Sequence, residues 1–358
     1  MREGKRAHIF QFCQQSEVMQ LKVLRTPSEM DQRAEEWNEL LSKSASRVPF
    51  LRHEYLSTWW RTLGGGEWAR GELYVVTAAE PDGSWSAIAP LFFTDNRDAE
   101  PALMLLGSIE ISDYLDLIVQ QNHTTGFIEA LLAHLDGPQA PAWKVLDWYN
   151  ILEDSPTLPA LKAAAERRGW EYAQERLLPA PCVPLPGDWE AYLAGLDKKQ
   201  RHEIRRKIRR AESHDPPVRW YVEQDEGRLD AQVEAFMSLM AQDIEKASFL
   251  TAVMRTQMRA SVHAAFRAGW LKLAFLEVGG EKAAGYLNFD YANRIWLYNS
   301  GWDPRFGELS PGWVLLSYLM RWANENQREA FDFMRGDEDY KYRFGGIDRF
   351  VARAVVRR

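Results

Sequence analysis

The sequence predicts an α/β protein built from two halves that follow one plan. Short apolar runs with strand character alternate with longer helical segments along the chain. Four prolines and a glycine between Pro179 and Gly187 interrupt that alternation near the middle. A glycine near a helix start also precedes an aspartate in an apolar strand by nearly the same interval in each half: Gly126 to Asp147, then Gly312 to Asp332. Leu146-Asp147-Trp148 and Phe331-Asp332-Phe333 then align, which suggests a tandem duplication.

Length and composition bound the reading. The 358 residues are enough for about two ordinary domains. Hydrophobic residues make up 46% and charged residues 27%, a globular composition rather than a disordered or fibrous one. No apolar run approaches the roughly 18 residues of a membrane span. The opening MREGKRAHIFQF is basic but has no apolar core or cleavage site, so no secretory signal is expected, and residues 1–18 are expected to be a loose extension. The two cysteines, Cys13 and Cys182, form no CxxC pattern and no disulfide framework. A cytoplasmic location follows as an expectation. A formal charge of −7 confines any polyanion contact to a local patch.

In the first half, expected over 19–178, Leu21 to Leu24 reads as a strand and Ser28 to Leu41 as a capped helix. Pro49 to Leu63 is helical and closes at Gly64-Gly65-Gly66. Strands follow at Leu73 to Val76, Ala87 to Phe93, Leu103 to Leu106 and Tyr114 to Val119. Thr125-Gly126 opens a helix to Leu135, Val145 to Trp148 is a strand, Leu158 to Arg168 a helix stopped by Gly169, and Trp170 to Arg176 a strand. Residues 179–187 suit an extended linker. The second domain, 188–358, begins with helices over Trp189 to Glu212, Leu229 to Lys246 and Thr251 to Ala268. Strands follow at Leu271 to Val278, Ala283 to Tyr291 and Arg294 to Asn299. The helix from Pro311 to Asn326, a strand at Phe331 to Phe333, a short helix or turn over Asp337 to Phe344 and a strand at Phe350 to Val356 complete it.

Four segments carry chemistry. Ser310-Pro311-Gly312 opens a helix with a capping serine, a proline where its missing N–H costs nothing, and a glycine that allows close approach; the free N–H groups and the dipole favour an anion. Arg305, in the preceding loop, can assist. Phe331 to Lys341 runs an apolar strand into a polar turn. Buried there, Asp332 needs a partner, which Arg335 or Lys341 can supply. Ser112 to Ile118 places Asp113 and Asp116 around Tyr114 and Leu115, able to read an amine by charge. The Lys198 to Arg210 helix, with Asp197 as its N-cap, aligns Arg201, Arg205 and Arg209 at i+4 spacing, a single-sign row that calls for an anionic partner. Each segment also has a plain structural reading, as a capped helix, a buried ion pair, a turn or a solvated face. No histidine spacing suits a metal, and no nucleophile or P-loop motif occurs.

These four segments, in the chain order 112–118, 198–210, 310–312 and 331–341 within residues 21–353, resemble the GNAT acyltransferase superfamily, and within it the FemAB-like branch that includes cellulose-biosynthesis-type acetyltransferases. The resemblance implies tandem domains, each a mixed sheet flanked by helices. It implies an N-acyltransferase in which an amine attacks the carbonyl of an acyl-CoA thioester directly, with no metal. The Ser310-Pro311-Gly312 start would hold the donor pyrophosphate, with Arg305 and Arg335. The usual glycine-rich donor loop of single-domain relatives is missing here, which bears on coenzyme A itself. Asp332, Asp337, Tyr340 and Lys341 would act on the reacting groups. Asp113, Tyr114, Asp116, Arg201 and Arg205 would form the substrate side, for a small-molecule, peptide or saccharide amine. The same branch implies two rivals: an aminoacyl-tRNA-dependent peptidyltransferase, with the basic helix on RNA, and a non-catalytic binding protein. Thr125-Gly126 lacks the proline and carries Glu129 in its first turn, so one donor site is expected, in the second half.

Overall fold

The computed structural model describes residues 19–358. The extension expected at 1–18, with Cys13, lies outside the described residues.

The second half is organised by a six-stranded sheet in the order Cys182–Pro184, Ala330–Asp332, Arg294–Trp302, Glu281–Tyr291, Leu271–Val278, Val218–Val222. Every pair is antiparallel except Arg294–Trp302 with Ala330–Asp332, which run parallel. The helix Pro311–Glu325 makes that parallel crossover. Alternation along the strands then sorts the two faces. Leu273, Phe275, Leu287, Phe289 and Trp296 join the core of the first half, together with the helices Leu229–Met240 and Ala252–Arg267. Ala274, Leu276, Tyr286, Ile295 and Leu297 form a second core with Pro311–Glu325 and the helices Trp189–Gly195 and Lys198–Glu212.

The first half repeats the parallel crossover. Pro101–Leu105 pairs parallel with Val145–Leu152, and the helix Thr124–Leu135 lies between them in sequence. The tandem α/β architecture with mixed sheets is therefore the one the sequence implies.

Strand pairing crosses the boundary drawn at 179–187. Within that segment Cys182–Pro184 is an edge strand of the second sheet, where proline is tolerated. The last strand, Phe350–Arg357, belongs by sequence to the second half but inserts between Val145–Leu152 and Glu171–Pro179 of the first. The second half thus lends the first its last strand, and the segment between the halves supplies the second sheet's edge. Two further readings shift. Trp189 to Glu212 is two helices, divided where the Asp197 carboxylate accepts from the N–H groups of Lys199 and Gln200. Val218–Val222, not expected from sequence, is the outer strand of the second sheet.

Candidate active site

The helix Pro311–Glu325 connects two strands that pair in parallel over Arg294–Trp296 and Ala330–Asp332. Its first i→i−4 bond runs from the Val314 N–H to the Ser310 carbonyl at 3.1 Å. Pro311 has no N–H, so the donors ahead of that bond belong to Gly312 and Trp313. Ser310 adopts a left-handed conformation (φ 52°) and its side chain makes no cap hydrogen bond. The expected serine cap is absent because the hydroxyl faces Lys207, whose Nζ donates to Oγ at 3.0 Å.

Lys207 is the feature the sequence reading missed. Its ammonium lies 4.4 Å from the centre of the Trp313 ring, at the positive end of a helix dipole. A lysine there is electrostatically misplaced unless an anion joins it. Glu203 is its acidic neighbour, at 3.6 Å. Burial, opposed by Glu203, holds the Lys207 pKa below the usual lysine value. Trp313 also packs on Phe344, with ring centres 4.8 Å apart, which ties the short helix Asp339–Arg343 to the same corner.

Two tyrosines complete that corner. A Cβ placed on Gly312 would lie 3.7 Å from the Tyr286 hydroxyl and meet nothing nearer, so the helix start opens on that hydroxyl. Tyr340 stands against Phe333. Its pKa is raised well above the ordinary tyrosine value by burial, with Tyr286 and Glu338 adding to the effect. On the opposite strand the register slips by one residue at Tyr298, a bulge in Arg294–Trp302 facing Leu287 and Asn288.

The turn after Ala330–Asp332 is held from inside. Met334 and Gly336 have positive φ, 57° and 115°. Lys341, 2% exposed, directs Nζ at the carbonyls of Met334 (3.3 Å), Arg335 (2.6 Å) and Gly336 (3.2 Å) and at Glu338 Oε2 (2.9 Å). An ammonium has three N–H donors. Those four acceptors use them all, so Lys341 positions the turn and has nothing left for a donor oxyanion. A Cβ on Gly336 would lie 2.4 Å from Glu338 Oε2, so glycine keeps that carboxylate in place. Glu338 and Asp337 are exposed.

The other expected site residues sit elsewhere. Asp332 is fully buried, accepts from the Tyr114 hydroxyl (2.7 Å) and the Met334 N–H (2.9 Å), and pairs with Arg349. The Tyr114 hydrogen bond clasps the two halves, and the carboxylate is closed off from solvent. Arg335 was expected beside the donor. It donates instead to Asp113 Oδ1 at 2.8 Å, to Asn150 Oδ1 and to the carbonyls of Ile109 and Glu110, a second clasp. Asp116 is buried among Ser46, Ser155, Thr157 and the Leu117 N–H, and burial raises its pKa. Arg201 donates to carbonyls at the end of Trp189–Gly195, and Arg205 pairs with Glu190. Arg305 pairs with Asp303 and Glu281. In the first half, Glu129 pairs with Arg167 and Arg168 rather than answering its own helix dipole.

Residues 198–342 match the acetyltransferase (GNAT) domain family. No curated protein matches the sequence. Among solved structures, FemX superposes with a TM-score of 0.65 at 11% identity, over 93% of this chain and 97% of its own. A conserved protein of unknown function from Bacteroides thetaiotaomicron gives 0.59 at 14% identity, over 95% and 100%. The C-terminal domain of a putative lysylphosphatidylglycerol synthetase from Agrobacterium fabrum gives 0.54 at 11%, over 92% of each chain.

Proposed function

We propose that this chain, whose residues 198–342 match the GNAT acetyltransferase domain family and whose fold is that of FemX, transfers an acyl group to an amine from a phosphate-bearing donor seated at the start of Pro311–Glu325. The observation that carries this reading is Lys207: a lysine ammonium brought to a helix N-terminus by a different helix and answered there by one carboxylate, Glu203 at 3.6 Å, so that two positive groups face a single negative one and a further anion is favoured. Gly312 and Trp313 supply the backbone N–H groups, and Tyr286 and Tyr340 line the approach.

The amine attacks the donor carbonyl directly. Glu338, exposed and oriented by Lys341, takes the proton that the attacking nitrogen loses; Asp337 is the second exposed carboxylate at this mouth. The collapsing intermediate expels a thiolate or an alkoxide, and Tyr340, held protonated by its buried setting, gives it a proton to form the free thiol or alcohol. Asp332, Arg335 and Lys341 act as positioning residues: they hold the turn that carries Glu338. Coenzyme A is the leading donor. An aminoacyl-tRNA is the alternative donor, and two observations speak for it. The stretch 303–310 before the helix has one glycine, Gly307, so few backbone N–H groups can wrap a pyrophosphate. A lysylphosphatidylglycerol synthetase, by its name a lysyl transferase, also shares the fold.

Ligand-dependent melting tests the reading. Acetyl-CoA, a long-chain acyl-CoA and charged tRNA are each added to the wild type and to Lys207→Ala. A stabilising ligand at 100 times its Kd adds about 2.7 kcal/mol, a clear rise in Tm. The expected result is a rise with one donor class that shrinks in the variant. No rise with any of them contradicts the proposal.

A further inference from the structure

A second polar cleft of about 290 Å³ lies where the two halves meet, between the starts of the strands Arg294–Trp302 and Phe350–Arg357. The first half contributes Ser46, Arg47 and Asp154, and the second Arg294, Trp296 and Arg349. None of the residues at the donor corner lines it.

Three guanidinium groups face this cleft against one carboxylate. Arg47 is exposed and Arg294 half-buried, and neither makes an ion pair or a side-chain hydrogen bond among the described residues. The Arg294 guanidinium lies 5.9 Å from the centre of the Trp296 ring and has no carboxylate partner among the described residues, whereas Arg335 and Arg353 are paired with Asp113 and Asp147. Arg349 gives Nη2 to Asp332 and Tyr114, yet its Nε is shielded from solvent and has no partner. Asp154, the carboxylate on this lining, forms no ion pair among the described residues. The hydroxyls of Ser46 and Ser155 are committed to Asp116 beneath, so this wall is fixed.

We infer that this cleft binds a small organic or inorganic anion, of the carboxylate or phosphate class, held between Arg47 of the first half and Arg294 of the second with Arg349 at its floor. The guanidinium fork suits both chemistries. The position gives the ligand a consequence. Arg349 grips Asp332, Asp332 accepts from the Met334 N–H, and the Met334 carbonyl accepts from Lys341, which orients Glu338. An anion that recruits Arg349 therefore bears on the turn at the donor corner through four consecutive contacts.

Site-resolved arginine modification tests this, first on the wild type and then on Arg294→Gln. The whole protein is treated with phenylglyoxal in sodium phosphate, sodium succinate or sodium chloride at matched ionic strength, and modified peptides are counted by mass spectrometry. Occupancy slows modification by the factor 1 + [L]/Kd, roughly tenfold at ten times Kd. The expected result is slowing at Arg47 and Arg294 in phosphate or succinate relative to chloride, with Arg305 unchanged. Slowing in phosphate alone assigns a phosphoryl ligand, and slowing in succinate alone a carboxylate. Equal rates in all three salts overturn the site. Slowing that survives in Arg294→Gln at Arg47 also overturns it, because the two would then not share one ligand.

Discussion

Lys207 shows what a single residue adds that sequence periodicity does not contain. On the Lys198–Glu212 helix, the apolar stripe Ile204, Ile208 and Ala211 is bordered on one side by Arg201 and Arg205 and on the other by Lys207. Both borders read as basic. Docking of the helix against Pro311–Glu325 decides which one meets the anion corner, and that is a tertiary fact. Removing a charge-assisted hydrogen bond costs about 1.5–3 kcal/mol, so Lys207→Ala is expected to lower kcat/KM by about tenfold to a hundredfold, chiefly through KM. The pH dependence follows from its depressed pKa. Donor binding requires the ammonium, so affinity is expected to fall as pH rises through a pKa lying below the ordinary 10.5. In the window between the folded and unfolded values the unfolded chain holds the proton more tightly. Stability from this group therefore rises with pH while donor affinity declines. Titration calorimetry across that range checks the sign. At the turn, Lys341→Met leaves three carbonyls and Glu338 without their partner. It is expected to lower stability by about 3 kcal/mol, whereas Glu338→Gln is expected to keep the Tm and lower kcat. The sequence leaves Asp332 and Lys341 open between a reacting and a structural role for one reason: a charged residue beside an apolar strand looks the same whether it faces a substrate or a buried partner.

At the scale of elements, the legible parts were those with local causes. Asp197 as an N-cap, Pro311 at the first helical position and the parallel crossover through Pro311–Glu325 follow from residues close in sequence. The outer strand Val218–Val222 was not legible, because its residues are half-buried and alternate weakly. Gly301 had no visible reason either. A Cβ there would lie 2.3 Å from the Met240 backbone nitrogen and 2.4 Å from the Leu239 carbonyl carbon. The helix Leu229–Met240 thus rests directly on the strand that bounds the site. Gly301→Ala is expected to force that helix away at a cost of about 1–3 kcal/mol, read as a lower urea midpoint and lower activity together.

Across the whole molecule, the two halves share their covalent ends. Asp147 pairs with Arg353 and Asp332 with Arg349, so the aspartates that the repeat aligned are both answered by arginines within or just before the last strand. The aligned aspartates were visible in the sequence; their partners were not, because each pair joins segments whose distance along the chain carries no pattern. Deleting residues 350–358 is expected to expose the edges of Val145–Leu152 and Glu171–Pro179 and to abolish cooperative folding of the first half. Asp332→Asn, which leaves Arg349 buried without its counter-charge, is expected to cost about 3–5 kcal/mol rather than to stop chemistry in an intact fold. The halves are expected to melt in one calorimetric transition. The central claim concerns the start of Pro311–Glu325, and amide hydrogen exchange there tests it most directly. With a saturating donor, acetyl-CoA or charged tRNA, exchange at Gly312 and Trp313 is expected to slow while the aligned start at Thr125 and Gly126 is unchanged. A donor that binds and leaves the Gly312 and Trp313 amides exchanging at the free rate would contradict the account.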